Sequence, residues 1–330
     1  MKRSPLTLLL ILILAISMVG WVAACDDNDD EAIPQTSASP TISQPTSTPE
    51  PTSFPVMPGK GRLKVATTTS LYDTGLWGYL EPMFEEKYQD YRVEGEIPHQ
   101  GVELDVLYAG TGIALEYAKR GDVSVITVHD KAKEEQLVTE GYLVQRIPFA
   151  YNYFLIVGPA SDPAGIKGLS PEVAFKKLME TGKGTFISRG DESGTHSKEK
   201  AIWKAAGFDY EAVKKAGEWY IEGGKGMGPT LLMAKEKQAY TLTDMGTYVY
   251  VNDTAKLGLV PIVDEGSILL NVYSVEAVNP QKVKGVSVDM ANNLVSFLTS
   301  PEIQQLIGDY GFEKYGIRLF TPCFGAEPTQ

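Results

Sequence analysis

Cysteine and histidine are almost missing from this chain: 330 residues hold two cysteines and three histidines. Two cysteines cannot build a disulfide scaffold, and histidines scattered at His99, His129 and His196 argue against a multi-histidine metal centre. Positive charge is also scarce. Lys and Arg number 30 against 42 Asp and Glu, a net charge of −12. Nucleic acid is therefore not an expected partner, because phosphate binding needs clustered Lys and Arg. No Gly-x-x-x-x-Gly-Lys-Ser/Thr loop occurs, which argues against an NTPase, and no Gly-x-Ser-x-Gly elbow occurs, which argues against an α/β-hydrolase. No internal repeat with a period of about 20–50 residues is visible. What remains is a composition of 43% hydrophobic and 22% charged residues, that of a globular protein with one large or two medium domains.

Long apolar runs are absent except at the N-terminus. Lys2 and Arg3 precede an uncharged run from Leu6 to Ala24, which ends in Ala23-Ala24-Cys25 and then four aspartates among five residues. This reads as a secretory leader, with an uncleaved transmembrane anchor as the alternative. The placement of Cys25 resembles the lipobox of bacterial lipoproteins. Residues 1–24 are then a lipoprotein signal peptide and Cys25 is the lipidation site. Either reading puts the remaining chain outside the cytoplasmic membrane. Of residues 32–58, 17 are Pro, Ser or Thr, so residues 25–58 are expected to form a disordered tether. Such a tether spans about 30 Å as a flexible coil and about 85 Å as polyproline II. Cys323, left without a partner, reads as a small buried hydrophobe.

The body, residues 59–330, alternates strand and helix. Strands are predicted at 62–68, 102–109, 123–128, 154–157, 185–188, 239–243 and 272–275. Helices are predicted from Leu76 to Lys87, capped by Asp73 or Thr74, and at 113–120, 171–179, 195–206, 228–237 and 288–298. Gly121 reads as a helix C-cap. This order predicts an α/β fold with mostly parallel sheets, in which ligands sit where strands end and helices begin.

Those junctions carry the candidate chemistry. They are Thr67-Thr68-Thr69-Ser70, Gly110-Thr111-Gly112, the segment from Ser188 to His196, and Gly226-Met227-Gly228. Each is small, hydroxyl-bearing or glycine-rich at a predicted helix N-terminus, where free N–H groups and the positive dipole end favour an anion. Arg189 adds a permanently charged planar fork. Taken singly, each loop is equally explained as a helix cap. Asp191 reads either as the group that orients Arg189 or as a loop carboxylate. Asp191-Glu192-Ser193-Gly194 also allows a serine hydrolase, with Ser193 as nucleophile and His196 or His129 as base. Otherwise His99, His129 and His196 read as structural.

In combination, the segments Val65-Ala66-Thr67-Thr68-Thr69-Ser70, Ala109-Gly110-Thr111-Gly112, Val128-His129-Asp130-Lys131-Ala132, Ser188 to His196, Gly226-Met227-Gly228 and Tyr240-Thr241-Leu242-Thr243-Asp244 resemble the tungstate-binding (TupA-type) solute-binding lipoproteins of ABC importers. The resemblance runs from about Leu63 to Phe320. Tyr151-Asn152-Tyr153-Phe154 departs from it, since similar proteins tend to carry Tyr-Asn-Asp-Phe there. The resemblance implies a two-lobed type II periplasmic-binding fold, each lobe a mostly parallel sheet flanked by helices, joined by two crossing strands. Lobe one is expected at residues 62–150 plus 270–330 and lobe two at 151–269. Residues 149–157 and 269–275 are expected to hold the crossings. The implied ligand-binding residues are Thr69, Ser70, Gly110, Thr111, Arg189, Ser193, Gly194 and Thr195, supported by Thr68, Asp191 and Met227.

The implied function is capture of tungstate or molybdate without chemistry, for delivery to an ABC permease, by a lipid-anchored monomer on the extracytoplasmic side. No cofactor, no free metal cation, no nucleic acid and no enzyme activity are expected. Both ions are tetrahedral dianions that accept hydrogen bonds and donate none, so the site should be built from donors. The runner-up is a phosphate or sulfate binder on the same fold. Phosphate is partly protonated at neutral pH and needs a carboxylate acceptor, for which Asp73, Asp191 and Asp244 are available.

Overall fold

The computed structural model describes residues 61–93 and 99–329. The leader 1–24, Cys25 and the tether to residue 58 lie outside the described residues, and so does the side chain of His99. Among the described residues, β1 (Gly61–Thr68), α1 (Thr69–Asp73), α2 (Leu76–Lys87), β2 (Arg92–Val93), β3 (His99–Gln100), β4 (Val102–Ala109), α3 (Thr111–Arg120), β5 (Val125–Val128) and α4 (Lys131–Thr139) come first. The long β6 (Ile147–Pro159) leads to α5 (Pro171–Thr181), β7 (Phe186–Ser188), α6 (Gly194–Ala205), α7 (Tyr210–Val213), β8 (Tyr220–Glu222), α8 (Met227–Lys237), β9 (Tyr240–Asp244), α9 (Met245–Ala255) and β10 (Leu259–Val263). Then come β11 (Leu270–Ala277), α10 (Val288–Leu298), α11 (Pro301–Asp309), α12 (Phe312–Tyr315) and β12 (Thr321–Pro322).

Local chemistry sets these boundaries. Ser170 accepts the Val173 N–H and Pro171 opens α5, while Gly182 ends it in the left-handed region. Gly121 ends α3 in the same way, as expected. The entry to α2 differs from expectation: Gly75, at φ 79°, is its N-cap. Thr74 instead closes α1, and its Oγ1 accepts the Leu76 N–H at 3.2 Å.

Ten strands form a continuous sheet in the order β4-β1-β5-β11-β6-β9-β7-β8, with β10 and β12 also paired to β6. β1 runs parallel to β4 and β5, and β7 runs parallel to β8 and β9. In this sheet every antiparallel pair involves β6 or β11. β6 belongs to both halves: residues 147–153 pair with β11 and residues 154–157 with β9. The architecture is the two-lobed α/β fold, its parallel strands filling the lobes and its antiparallel strands linking them.

Strand alternation sorts the core. Phe154 and Ile156 enter one apolar cluster with Phe175, Phe186 and Trp203, whereas Leu155 and Val157 enter the opposite one with Leu231 and Tyr248. In the other half, Leu63 and Val65 join Phe84 and Phe297, and Ala66 faces Leu115 and Ile126. Cys323 is buried, and burial pushes its thiol up to about 11.

A charged cluster sits inside this core. Glu134 is fully buried and accepts from Arg146 Nε at 2.5 Å, from Ser274 Oγ at 2.5 Å and from the Asp130 N–H at 2.6 Å. Arg146 also holds Glu327 at 2.8 Å. Burial, then the neighbouring Glu134, pushes Glu276 well above the ordinary carboxyl range. Removing one partner of a buried pair strands the other charge. Arg146→Ala should therefore cost about 3–5 kcal/mol in denaturant unfolding, and a loss below about 1 kcal/mol would mean that the cluster relaxes or takes up a proton at little cost.

Candidate functional site

Strand-to-helix junctions from both halves of the sheet converge on one place. β1 runs directly into α1, where Thr68 is the cap and its Oγ1 accepts the Leu71 N–H at 3.3 Å. Thr69 and Ser70 open the helix. Ser70 is fully buried, with Oγ 3.2 Å from His129 Nε2. His129 follows β5, and its Nδ1 lies 2.8 Å from Asn271 Oδ1 on β11. Asn271 spends its amide protons on Asn152 Oδ1 at 2.9 Å and Tyr273 Oη at 2.8 Å. Its Oδ1 must therefore accept from His129 Nδ1–H, which leaves Nε2 to accept the Ser70 proton. Burial lowers His129 to about 4, so the ring is neutral.

Gly110 caps α3 with extended backbone, and Thr111 begins the helix fully buried. Thr111 Oγ1 accepts the Gly194 N–H at 3.1 Å. Gly194 opens α6 in the other half of the sheet, so this bond crosses the cleft. Three further bonds do the same. Arg189 Nη2 donates to Thr69 Oγ1 at 3.2 Å, Thr247 Oγ1 to the Ser70 carbonyl at 3.0 Å, and Lys133 Nζ to Ser197 Oγ at 2.9 Å.

Arg189 follows β7 and is only 2% exposed. Asp191 Oδ2 accepts from its Nε at 3.2 Å and its Nη2 at 2.5 Å. Asp191 Oδ1 also accepts the Ser193 N–H at 3.3 Å. Ser193 caps α6, accepting the His196 N–H at 3.2 Å. Thr195, 1% exposed, has a buried Oγ1 without a hydrogen-bond partner among the described residues.

Of the eight residues picked as ligand contacts and the three as supports, ten gather here. Met227 does not: its side chain is buried in the apolar cluster with Leu155 and Ile187, and only its position at the start of α8 is near the cleft. The hydrolase constellation does not form. The ring of His196 is taken by Tyr210 and the Glu192 N–H, and that of His129 by Ser70 and Asn271, so neither imidazole hydrogen-bonds the Ser193 hydroxyl.

Sequence reasoning underrated three groups. His129 stood in a resembling segment, but its ring partner lies 142 residues away. Asp244 caps α9 by accepting the Thr247 N–H at 2.9 Å, while its buried Oδ2 has no partner among the described residues. Asp73 is pushed up to about 6, first by burial and then by Asp244, against the pull of Arg189. Among the described residues, no helix is long and apolar enough to cross a membrane and no group of acidic, Cys or His side chains is placed to hold a metal ion.

Two lobes sharing a sheet, with small-residue loops and one buried guanidinium between them, define a bilobal ligand-binding protein. The model of the PBP superfamily domain matches residues 35–302. The tungstate-binding protein TupA of Peptoclostridium acidaminophilum is 43% identical over 266 residues, covering 80% of this chain and 86% of that protein. The crystal structure of the tungstate ABC transporter from Geobacter sulfurreducens matches with a TM-score of 0.64 at 45% identity, over 76% of this chain and 98% of that one. The tungstate-binding protein TupA from Desulfovibrio alaskensis G20 matches with a TM-score of 0.65 at 36% identity, over 80% and 99%. The chain belongs to the PBP superfamily and, within it, to the family of TupA-type binding proteins.

Proposed function

We propose that the protein captures a tetrahedral oxyanion, tungstate and with it molybdate, between its two lobes and delivers it to an ABC permease. The observation that carries this reading is Arg189, a permanent charge at 2% exposure between hydroxyl-rich loops of both halves. Named relatives that bind tungstate support it. In this reading Thr69, Ser70, Gly110, Thr111, Arg189, Ser193, Gly194 and Thr195 form the ligand shell. Thr68 and Asp191 hold it in place. Ser70 serves mainly through its backbone, since His129 takes its hydroxyl proton. Thr111 and Thr195 keep hydroxyl protons to donate.

Lobe one comprises residues 62–150 plus 270–330 and lobe two 151–269, so that each jaw carries part of the shell. Residues 1–24 direct export, acylated Cys25 anchors a monomer outside the membrane, and residues 25–58 are its tether. Each hydrogen bond to a charged ligand contributes about 1.5–3 kcal/mol. Six would give about 9–18 kcal/mol before ordering and closure costs, against about 12 kcal/mol for nanomolar affinity.

Isothermal titration with tungstate, molybdate, sulfate and phosphate is the test. Tight one-to-one binding of tungstate with phosphate silent is expected. Phosphate binding with tungstate silent would overturn the choice of anion, and silence from all four would overturn the oxyanion reading.

A further inference from the structure

Behind the Arg189 loop runs a chain of hydrogen bonds whose proton count is fixed at one end. The Glu192 N–H donates to His196 Nδ1 at 3.0 Å, so the neutral ring carries its proton on Nε2. That proton goes to Tyr210 Oη, 2.6 Å away. Tyr210 spends its own proton on the exposed Glu222 carboxylate at 2.8 Å. The next contact, Tyr210 Oη to Tyr220 Oη at 2.9 Å, must take its proton from Tyr220. Tyr220 then has none left for Glu199 Oε1, 2.6 Å away. For every contact of the chain to be a hydrogen bond at once, Glu199 has to supply the proton of this short one.

Glu199 is 1% exposed and sits on α6, the helix whose first turn holds Ser193, Gly194 and Thr195. Its Oε2 accepts from Ser188 Oγ at 2.6 Å, and Ser188 Oγ in turn accepts the Gly190 N–H at 3.2 Å. Those two residues flank Arg189. The network thus grips the loop at both ends, at Gly190 through Ser188 and at Glu192 through His196. The groups facing it are Tyr220 and Glu222 from β8, Tyr210 from α7, and His196 and Trp203 from α6, with Lys200 and Lys214 over the Tyr210 ring.

We propose that Glu199 is a positioning residue held as a neutral acid, fixing the 188–190 turn that presents Arg189 to the anion without placing a buried charge behind it. Burial also holds this carboxyl up at about 7. The inference rests on the oxyanion reading. Its sign follows from linkage: a bound dianion favours the protonated acid, so affinity is full at low pH and falls as pH rises through the carboxyl's range.

The experiment has two readouts. Tungstate affinity of the wild-type protein should fall about three- to tenfold from pH 6.5 to 8.5 relative to Glu199→Gln. Glu199→Gln, which keeps a donor for Tyr220 and an acceptor for Ser188 but gives up the bond from Trp203 Nε1–H to Oε1, should bind within about threefold of wild type at pH 6.5, whereas Glu199→Ala should be weaker throughout. The infrared difference between wild type and Glu199→Gln should contain a protonated-carboxyl band at neutral pH. Parallel pH profiles, or absence of that band, overturn the proposal. If Glu199→Gln does not fold, Tyr220→Phe removes the oxygen that takes the proton. The band should then shift, and an unmoved band overturns the assignment. Wild-type protein that binds no oxyanion would sink the functional reading and the ligand half of this inference together, and the infrared band would still decide the proton on Glu199.

Discussion

Arg189→Gln is expected to reduce oxyanion affinity by about 10²–10⁴-fold while the protein stays folded. Two charge-assisted hydrogen bonds contribute about 3–6 kcal/mol, and the glutamine that replaces the fork donates only neutral ones. The effect should be large here because the two neighbouring ammonium groups are already engaged: Lys133 donates to Ser197 Oγ and is paired with Asp130. Lys198 donates to the carbonyls of Ile268 and Leu270, and burial lowers it to about 8. Meanwhile Asp191 loses its ion-pair partner, and Asp73 and Asp244 lose a neighbouring positive charge. The fold should tolerate the change, since Asp191 keeps some contact with solvent and with the Ser193 N–H. Titration calorimetry alongside thermal unfolding checks both halves. Affinity within threefold of wild type would remove Arg189 from the ligand shell, and a collapsed unfolding transition would make it a structural residue instead.

Much of this geometry was legible one junction at a time. Thr-Thr-Thr-Ser after a strand, Gly-Thr-Gly after the next and Ser-Arg-Gly-Asp before a capped helix each announce a strand end and a helix start through local chemistry. Those elements formed nearly where periodicity put them: β1 spans Gly61–Thr68 and α6 Gly194–Ala205. Elements without such a signature stayed hidden. α9 is built from Met-Gly-Thr-Tyr-Val-Tyr-Val, residues that favour strands, and its helical state depends on the Asp244 cap and on packing against β6. β6 was legible only in part: the strand expected at 154–157 runs 13 residues, from Ile147 to Pro159, with proline near each end, and pairing on both sides overrides those breakers. Within the site, sequence supplies residue types but not proton directions. Ser70 reads as a hydroxyl donor until Asn271, two hundred residues on, fixes the tautomer of His129. Likewise Glu199 carries no local motif, and its partners Ser188 and Tyr220 come from two different strands.

Gly194→Ala should cost at least tenfold in tungstate affinity without comparable loss of stability. The position of the added methyl decides this. A Cβ on Gly194 would lie 2.7 Å from His129 Cε1 and 2.8 Å from Nε2, closer than carbon atoms tolerate. The imidazole cannot yield. Asn271 holds it on one side, Ser70 on another, and the rings of Tyr273 and Phe154 pack beside it at 5.1 and 6.0 Å. The cheaper response is for the start of α6 to draw away from the junction of β5, breaking the 3.1 Å bond from the Gly194 N–H to Thr111. Each lobe keeps its own core in that displaced arrangement, because the apolar clusters on either half do not run through Gly194. The variant should therefore unfold within about 1–2 kcal/mol of wild type, yet close less well on its anion. Gly112→Ala is the matched control. A Cβ there meets nothing nearer than the Glu192 carbonyl at 3.9 Å, an ordinary contact. Small-angle scattering with and without tungstate should show ligand-induced compaction in wild type and Gly112→Ala but not in Gly194→Ala. Equal compaction and equal affinity in all three would mean that His129 moves after all, and that close approach at Gly194 is incidental to binding.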